Sequence, residues 1–425
     1  MPAPEHIQTP KGTRDFYPED MRIQNHLFEG WRRVCRAFGY EEYEGPTFEH
    51  LELYVGKSGP EIVEQLYHFK DKGDRDLALR PELTPTFARM VNQKGSSLRL
   101  PIKWFSIPRL FRYERAQRGR LREFFQLNMD IVGCDTVAAE ADLIGAVIEM
   151  LKGFGLGSND FAVRISSRKL LSEFLDRLGV SSEKKAVVYS ALDKRAKIGE
   201  EAFRKILQEQ GIAVGIADSL EGFFQSRTLE DLEAKLQAQS VGLSELRELF
   251  SLLGQLGYAD YLSLDTSVVR GLAYYTGIVF EVFDKGQNLR AIAGGGRYDS
   301  LLSSLGGSSM SAVGFGMGDV VLADLLNGKG LLPAGRQGVD YYLADVSSPD
   351  VPRVELLRLA QTLRSKNRSV AYALNGGKLK KQLAEANDQG ARKLVFFGSD
   401  RAEAGSCEVK DLATGEQSVV KETEL

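Results

Sequence analysis

Cysteine, histidine and tryptophan are scarce in this 425-residue chain, and no long apolar run occurs in it. The three cysteines, Cys35, Cys134 and Cys407, lie far apart and form no CxxC pair, which excludes a disulfide framework and a zinc ribbon. The four histidines, at 6, 26, 50 and 68, never pair on one helix face, so no protein-built metal centre is expected. Without a stretch long and apolar enough for a bilayer, a membrane span is not expected either. The opening MPAPEHIQTPKGTRDFYPED has neither the apolar core of a secretory signal nor the Arg- and Ser-rich, acid-poor character of a transit peptide, so a cytoplasmic protein is expected. A net charge of −3 speaks against indiscriminate nucleic-acid binding, while leaving room for a polyanion held by local patches.

Hydrophobic residues make up 43% of the chain and charged residues 27%, the balance of an ordinary globular protein, and the length allows about three domains. One stretch breaks this evenness. Between Arg109 and Glu123 six arginines (109, 112, 115, 118, 120 and 122) face only Glu114 and Glu123, a local excess of four positive charges. The flanks are strand-like: Trp104, Phe105, Ile107, Leu110 and Phe111 before it, Phe124, Phe125, Leu127, Met129, Ile131 and Val132 after it. Two such runs around a polar, glycine-containing loop form an antiparallel hairpin. Arginines on adjacent strands can converge on one anion, and planar guanidiniums suit phosphate oxygens better than ammonium groups do. A solvated surface loop is the alternative.

Ahead of the hairpin, Ile23, Leu27, Trp31, Val34 and Phe38 fall at helical spacing, and a strand follows that ends at Gly45-Pro46, where proline suits an edge or an interface. In DLALRPELTPTFARMV a short strand, a turn at Pro81 and a helix succeed one another; Glu82 and Thr84 on the turn can project into a pocket, although an acid in a first helical turn also complements the helix dipole. After the hairpin, Val137, Ala141, Ile144, Ile148 and Leu151 mark another amphipathic helix. From about 170 to 258 the chain is rich in Glu, Lys, Leu and Ala with helical periods and no dense polar cluster, which indicates a helical insertion. Strand alternation then returns at Ile278–Phe283, followed by AIAGGGRYD, whose three successive glycines suit close approach to the main chain or a wide bulge. A second glycine-rich strand, SAVGFGMGDVV, precedes a helix, and residues 326–338 have the punctuation of a linker. Beyond it, alternating strands and helices over 339–425 indicate a small α/β domain with a largely parallel sheet. Within it, Arg353 to Lys393 carries ten Lys/Arg against Glu355, Glu385 and Asp388, a one-sided charge that suits either a phosphate backbone or a solvated helix face.

The KGTRDFYPED opening, the FRYERAQRGRLREFFQLNMDIVG hairpin, the RGLAYYTG and GGGRYD segments and the C-terminal α/β module together resemble the histidyl-tRNA synthetases of class II. The resemblance covers nearly the whole chain and implies an α+β protein. It would comprise an antiparallel-sheet catalytic domain (1–325) carrying the insertion, and a three-layer α/β anticodon-binding domain (339–425). It implies L-histidine, ATP with Mg2+ and tRNA(His) as partners and a homodimer formed through the first helix and the segment around Pro46. By position, Arg112 would hold the α-phosphate of ATP opposite Arg270, Phe124 would stack on adenine, and Glu114 would belong to the ATP site. Glu82, Thr84 and Gln126 would lie near the amino and carboxylate groups of histidine, with Asp130, Tyr274 and Tyr275 around the imidazole. Arg118, Arg120, Lys378, Lys380 and Lys381 are the candidate tRNA contacts.

Four positions depart from the family pattern. Val320 and Val321 stand where most members carry a Glu-Arg pair whose arginine meets the ATP tail, a change shared with organelle-type members that resemble this GFGxGD form. Ala273 replaces an aspartate, and Asp130 shortens a glutamate. The missing arginine favours a rival reading, a non-catalytic histidine-binding regulatory subunit of ATP phosphoribosyltransferase. The basic C-terminal module and the presence of Arg112 and Arg270 oppose it. A class II enzyme for another amino acid would need a different pocket.

Overall fold

Large apolar residues alternate with glycine in AVGFGMG, which on a strand puts Val313, Phe315 and Met317 on one face and Gly314, Gly316 and Gly318 on the other. The computed structural model, which describes residues 8–58, 60–115, 117, 119–236, 239–268, 274–286, 289–333, 338–348, 351–403 and 405–425, builds this strand into the middle of a nine-stranded sheet. The chain forms two compact units, Met1–Leu332 and Pro333–Leu425. In the first, the strands are β1 (Glu41–Glu42), β2 (Phe48–His50), β3 (His68–Lys70), β4 (Asp76–Leu79), β5 (Ile102–Ser106) and β6 (Arg109–Phe111). There follow β7 (Glu123–Val132), β8 (Phe161–Ser167), β9 (Leu262–Leu264), β10 (Ile278–Asp284), β11 (Ala293–Arg297) and β12 (Ala312–Gly318). The large sheet has the order β1-β5-β7-β12-β11-β10-β8-β9, with β6 also paired to β7, while β2, β4 and β3 make a separate small sheet. Among the described residues of the large sheet, only β1 with β5 and β8 with β9 run parallel.

The apolar face of β12 is buried in the main core, where Val313, Phe315 and Met317 join Leu27 and Trp31 of the helix Pro18–Ala37 and Leu143, Ile144 and Val147 of the helix Ala138–Gly153. Burying each such side chain contributes about 1.5–3 kcal/mol relative to exposure. The first helix begins with Pro18 at its first position and with Asp20 accepting from the Tyr17 N–H, a start that suits proline's missing donor. Its buried stripe is Gln24, Leu27, Trp31, Val34 and Cys35, so Ile23 and Phe38 of the expected stripe sit at its margins. Between β8 and β9 five helices among the described residues run from Arg168 to Gln255; the hydroxyls of Ser167 and Ser240 cap the first and last of them. Their Leu170, Phe174, Leu246 and Leu249 extend the same core. The helix Asp319–Gly328 runs past the linker start expected at 326, because Leu325 and Leu326 are themselves core residues. No helix among the described residues is long and apolar enough to cross a membrane.

In the second unit β13 (Tyr341–Asp345), β14 (Val370–Tyr372) and β15 (Lys393–Phe397) are parallel neighbours. An antiparallel pair unforeseen from sequence, β16 (Ser406–Asp411) and β17 (Gln417–Lys421), extends the sheet past β15. Tyr341 and Leu343 pack on Leu356 and Leu359 of the helix Arg353–Ser365, while Tyr342 and Ala344 pack on Ala386 of the helix Leu379–Asp388. Alternate residues of one strand therefore meet helices on opposite faces, giving three layers.

Arg297, at the end of β11, is locked beneath the sheet. It makes a two-pronged ion pair of 2.6 Å with the buried Glu140 and also donates to the carbonyls of Cys134 and Thr136. Truncating Glu140 leaves a buried cation with only the more distant carboxylate of Asp299, 3.4 Å away. Glu140→Ala is expected to lower unfolding stability by about 3–5 kcal/mol, read from the denaturant midpoint at constant m-value; an unchanged midpoint would show that the pair contributes nothing net.

Candidate active site

Period-2 alternation aims Phe124, Gln126, Asn128 and Asp130 of β7 at the sheet face from which β12 has withdrawn its side chains. The fit is close. A Cβ on Gly316 would lie 2.7 Å from the Gln126 amide carbon, and one on Gly314 would lie 2.0 Å from an Asp130 carboxyl oxygen. Two cavities open on this glycine-lined face and share Arg112, Gln126, Gly294 and Gly316. The larger, about 610 Å³, falls within the ~300–1,000 Å³ typical of small-molecule sites and is bordered by Arg120, Phe124, Glu281, Arg290, Val320 and Val321 among others. The narrower, about 50 Å³, is walled by Glu82, Thr84, Asn128, Tyr274, Tyr275 and Tyr298.

The arginine-rich hairpin forms as expected, with β6 antiparallel to β7, but its guanidiniums divide between two tasks. Arg109 pairs with Glu123 at 2.8 Å, and Arg122 donates to the Glu114 carbonyl at 3.0 Å while lying over the Tyr113 ring. These two hold the hairpin. Arg112 faces the cavities: its Nε donates to the Pro81 carbonyl at 2.9 Å and its guanidinium sits 5.3 Å from the Phe124 ring centre. Arg120 forms an ion pair with Glu114 and lies on the wall of the larger cavity. Burial, and then the neighbouring Arg290 and Arg112 guanidiniums, pull the Arg120 pKa below its usual value. Three guanidiniums thus border one half-buried space, an arrangement that favours a polyanionic ligand.

Residues 12–319 match the family described as Histidyl-tRNA synthetase, and residues 352–425 match the Anticodon binding domain. A histidine–tRNA ligase of Arabidopsis thaliana, named as chloroplastic/mitochondrial, is 44% identical over 419 residues, spanning 99% of this chain and 86% of that protein. The chain belongs to the histidyl-tRNA synthetase family. The histidine–tRNA ligase of Opitutus terrae is 42% identical over 414 residues, 96% of this chain and 94% of its own. A crystal structure of histidyl-tRNA synthetase from Nostoc gives a TM-score of 0.83 at 26% identity, covering 99% of each chain.

Several residues singled out from the synthetase pattern come together here. Glu82 accepts from the Tyr274 hydroxyl at 3.2 Å, and Thr84, Gln126 and Tyr275 line the same slot. Arg118, Arg270 and Ala273 lie outside the described residues. Glu114 is absent from the cavity lining; its carboxylate is occupied by Arg120. Arg120, expected to meet tRNA, borders the larger cavity. The triple glycine also divides. Gly294 borders both cavities, whereas a Cβ on Gly295 would strike the Gly314 carbonyl and one on Gly296 the Tyr275 ring, so these two serve strand and aromatic packing.

Asp130 requires a correction to the expected imidazole contact. It is 2% exposed, does not line the slot, and accepts the Tyr298 hydroxyl on one oxygen while the other has no partner among the described residues. Tyr298, unforeseen as a site residue, therefore stands in front of it. Counting in twos from Gly294 through Gly296 puts Tyr298 on the ligand face, and the same count from Gln126 reaches Asn128; that alternation was the available signal. A further unforeseen contact involves Asp319, 1% exposed, which accepts the Phe125 N–H at 3.0 Å and Arg14 of the opening segment at 2.7 Å. It ties the first segment, β7 and the helix Asp319–Gly328 together.

Burial pushes the Asp130 carboxyl up to about 7, partly opposed by the Tyr298 hydroxyl. The folded chain then keeps a proton that the unfolded chain has already lost. The resulting stability is full below about pH 4 and is lost as pH rises toward 7, by on the order of 4 kcal/mol across that window. Asp130→Asn should flatten the stability profile over this range. Parallel pH profiles of wild type and variant would show that the carboxyl titrates normally.

Proposed function

We propose that this chain is a histidine–tRNA ligase whose adenylate-forming site is the pair of abutting cavities joined at Arg112. The single observation that carries the reading is Arg112's position on the wall common to both. The larger space, with Phe124 for adenine to stack on and guanidiniums for phosphates, suits ATP. The slot with Glu82, Thr84, Gln126 and three tyrosines suits a small zwitterion bearing a polar ring. In the reaction a carboxylate oxygen of histidine attacks the α-phosphorus, a bond to phosphorus forms, and pyrophosphate leaves from the opposite side. The carboxylate is already ionised at neutral pH, so no general base is needed. What the site supplies is alignment and fixed positive charge on the nonbridging oxygens. The terminal hydroxyl of tRNA(His) then attacks the activated carbonyl and releases AMP.

Glu82 fits the α-ammonium of histidine, and Gln126 its carboxyl end. The Tyr298 hydroxyl donates to Asp130 and keeps a lone pair toward the slot, where an imidazole N–H can donate. A side chain without that N–H would leave the oxygen unpaired, discrimination that can reach about 10⁴ to 10⁵ without editing. Magnesium fits this site only as a companion of the polyphosphate. Among the described residues no group of three or more His, Cys, Asp or Glu could cage it, and Glu281 is the carboxylate on the cavity wall that would approach it. Bound there, the ion would screen charge on the phosphates.

Anticodon recognition belongs in this reading to the second unit, where Lys378, Lys380 and Lys381 are exposed at the start of the helix Leu379–Asp388, in a segment that also exposes Leu374 and Leu379. Basic and apolar side chains interleaved on one surface suit single-stranded RNA. A homodimer working in the cytoplasm completes the proposal, supported by exposed Phe48, Phe69 and Leu100 on the first unit. The regulatory-subunit alternative is disfavoured, because full-length relatives at 44% and 42% identity bear the name of the ligase.

Histidine-dependent ATP–pyrophosphate exchange tests the function; its absence in the wild-type chain, or dependence on a different amino acid, would overturn it. Arg112→Ala should slow exchange by about 100- to 1,000-fold. Replacing Lys378, Lys380 and Lys381 with glutamine should weaken tRNA binding and reduce the slope of log affinity against log salt by roughly 0.7–0.9 for each phosphate that is no longer neutralised. An unchanged slope would move the tRNA surface elsewhere.

A further inference from the structure

Val321, at the place where the family pattern has an arginine for the ATP tail, is 7% exposed and packs into the main core with Leu322 and Leu325. Positive charge cannot come from that position. The cationic side chains lie on other parts of the same wall. Arg290, exposed just before β11, lines the larger cavity together with Arg112 and Arg120. The tip of the hairpin loop locates it: a Cβ built on Gly119 would lie 3.4 Å from Val321 Cγ2 and 3.8 Å from Arg290 Cδ. The arginine stem and the valine therefore flank the same loop glycine, whose φ of +71° few other residues adopt. A guanidinium anchored at Arg290 thus borders the space that a longer, charged side chain at Val321 would have entered.

The two cavities set an order along the site. Arg112 borders both of them, whereas Arg120 and Arg290 border only the larger one, away from the amino-acid slot. The carboxylates on this lining are Glu281 and Asp319, and Asp319 is already held by Arg14. Among the described residues no carboxylate forms an ion pair with Arg290, and its guanidinium lies near enough to Arg120 to help hold that residue's pKa down. We propose that Arg290 binds the β- and γ-phosphates of ATP, taking over from the β10–β11 turn the role that an arginine at the start of the helix Asp319–Gly328 plays in other synthetases. The proposal rests on the adenylate-forming reading of the two cavities. It predicts a residue that matters for ATP and pyrophosphate and not for the adenylate, which carries no β- or γ-phosphate.

The test uses the full chain with Arg290→Ala, Arg290→Lys and Arg290→Glu. Calorimetry compares β,γ-methylene ATP with a sulfamoyl analogue of histidyl-adenylate. The alanine variant should lose about 10- to 100-fold in affinity for the ATP analogue, the glutamate variant more, and the lysine variant less, while all three bind the adenylate analogue as wild type does. In exchange assays the KM for ATP should rise with the KM for histidine unchanged. Equal weakening of both ligands, weakening of neither, or loss of the adenylate analogue in all three variants overturns the assignment. A wild-type chain that binds the ATP analogue yet gives no histidine-dependent exchange contradicts the proposed function instead, and leaves the comparison between variants readable.

Discussion

The site exists because one face of the central sheet has no Cβ atoms where ligands would lie. Gly314, Gly316 and Gly318 of β12 and Gly294 of β11 leave bare backbone there, while Val313, Phe315 and Met317 on the reverse face anchor the strand in the core. Glycine inside a strand costs roughly 0.5–1 kcal/mol relative to alanine, and burial of the intervening large side chains offsets it. The same spacing lets Gln126 and Asp130 of β7 lie flat over β12 without colliding with it. Cavity shape and core packing are thus set by the two faces of one alternating strand.

Charge is then arranged over this floor. Arg112 is held from behind by the Pro81 carbonyl and Arg120 by Glu114, so neither guanidinium must be ordered when a ligand arrives. Preorganised charge of this kind stabilises a developing anion without solvent rearrangement. Like charges gathered in a half-buried space disfavour one another until a polyanion enters. Binding of a nucleotide therefore also stabilises the fold, by mass action on the native state.

Positioning comes from pairs that reach across the sequence. Asp319 joins Arg14, from the first segment, to the backbone of Phe125, next to the ring that faces the larger cavity. Tyr298 and Asp130 form a buried hydroxyl–carboxyl unit, and Glu82 receives the Tyr274 hydroxyl at the mouth of the slot. Each pair fixes the rotamer of a side chain that would otherwise be free to turn, and each joins segments distant in the chain.

Local pattern was enough to read the helices Pro18–Ala37 and Ala138–Gly153, the hairpin of β6 and β7, the glycine-rich strands, the helical insertion and the α/β character of the second unit. Each rests on periodicity or turn chemistry expressed within a few residues of itself. The residue types that line the two cavities were legible for the same reason, since Arg112, Glu82, Gln126 and the two tyrosines stand in short segments. Pattern could not tell which of the hairpin arginines would face the cavities, because Arg109, Arg122 and Arg112 differ only in the partners that folding brings to them. Nor could it show that Asp130 would lie behind Tyr298, or that Arg290 and Val321 would flank Gly119. By itself, then, the sequence determined the elements and the chemistry available, through short-range sterics and hydrophobic period. Only the tertiary structure decided which charges meet, which acid is buried and which hydroxyl stands before it, because electrostatics and burial depend on distances between segments far apart in the chain.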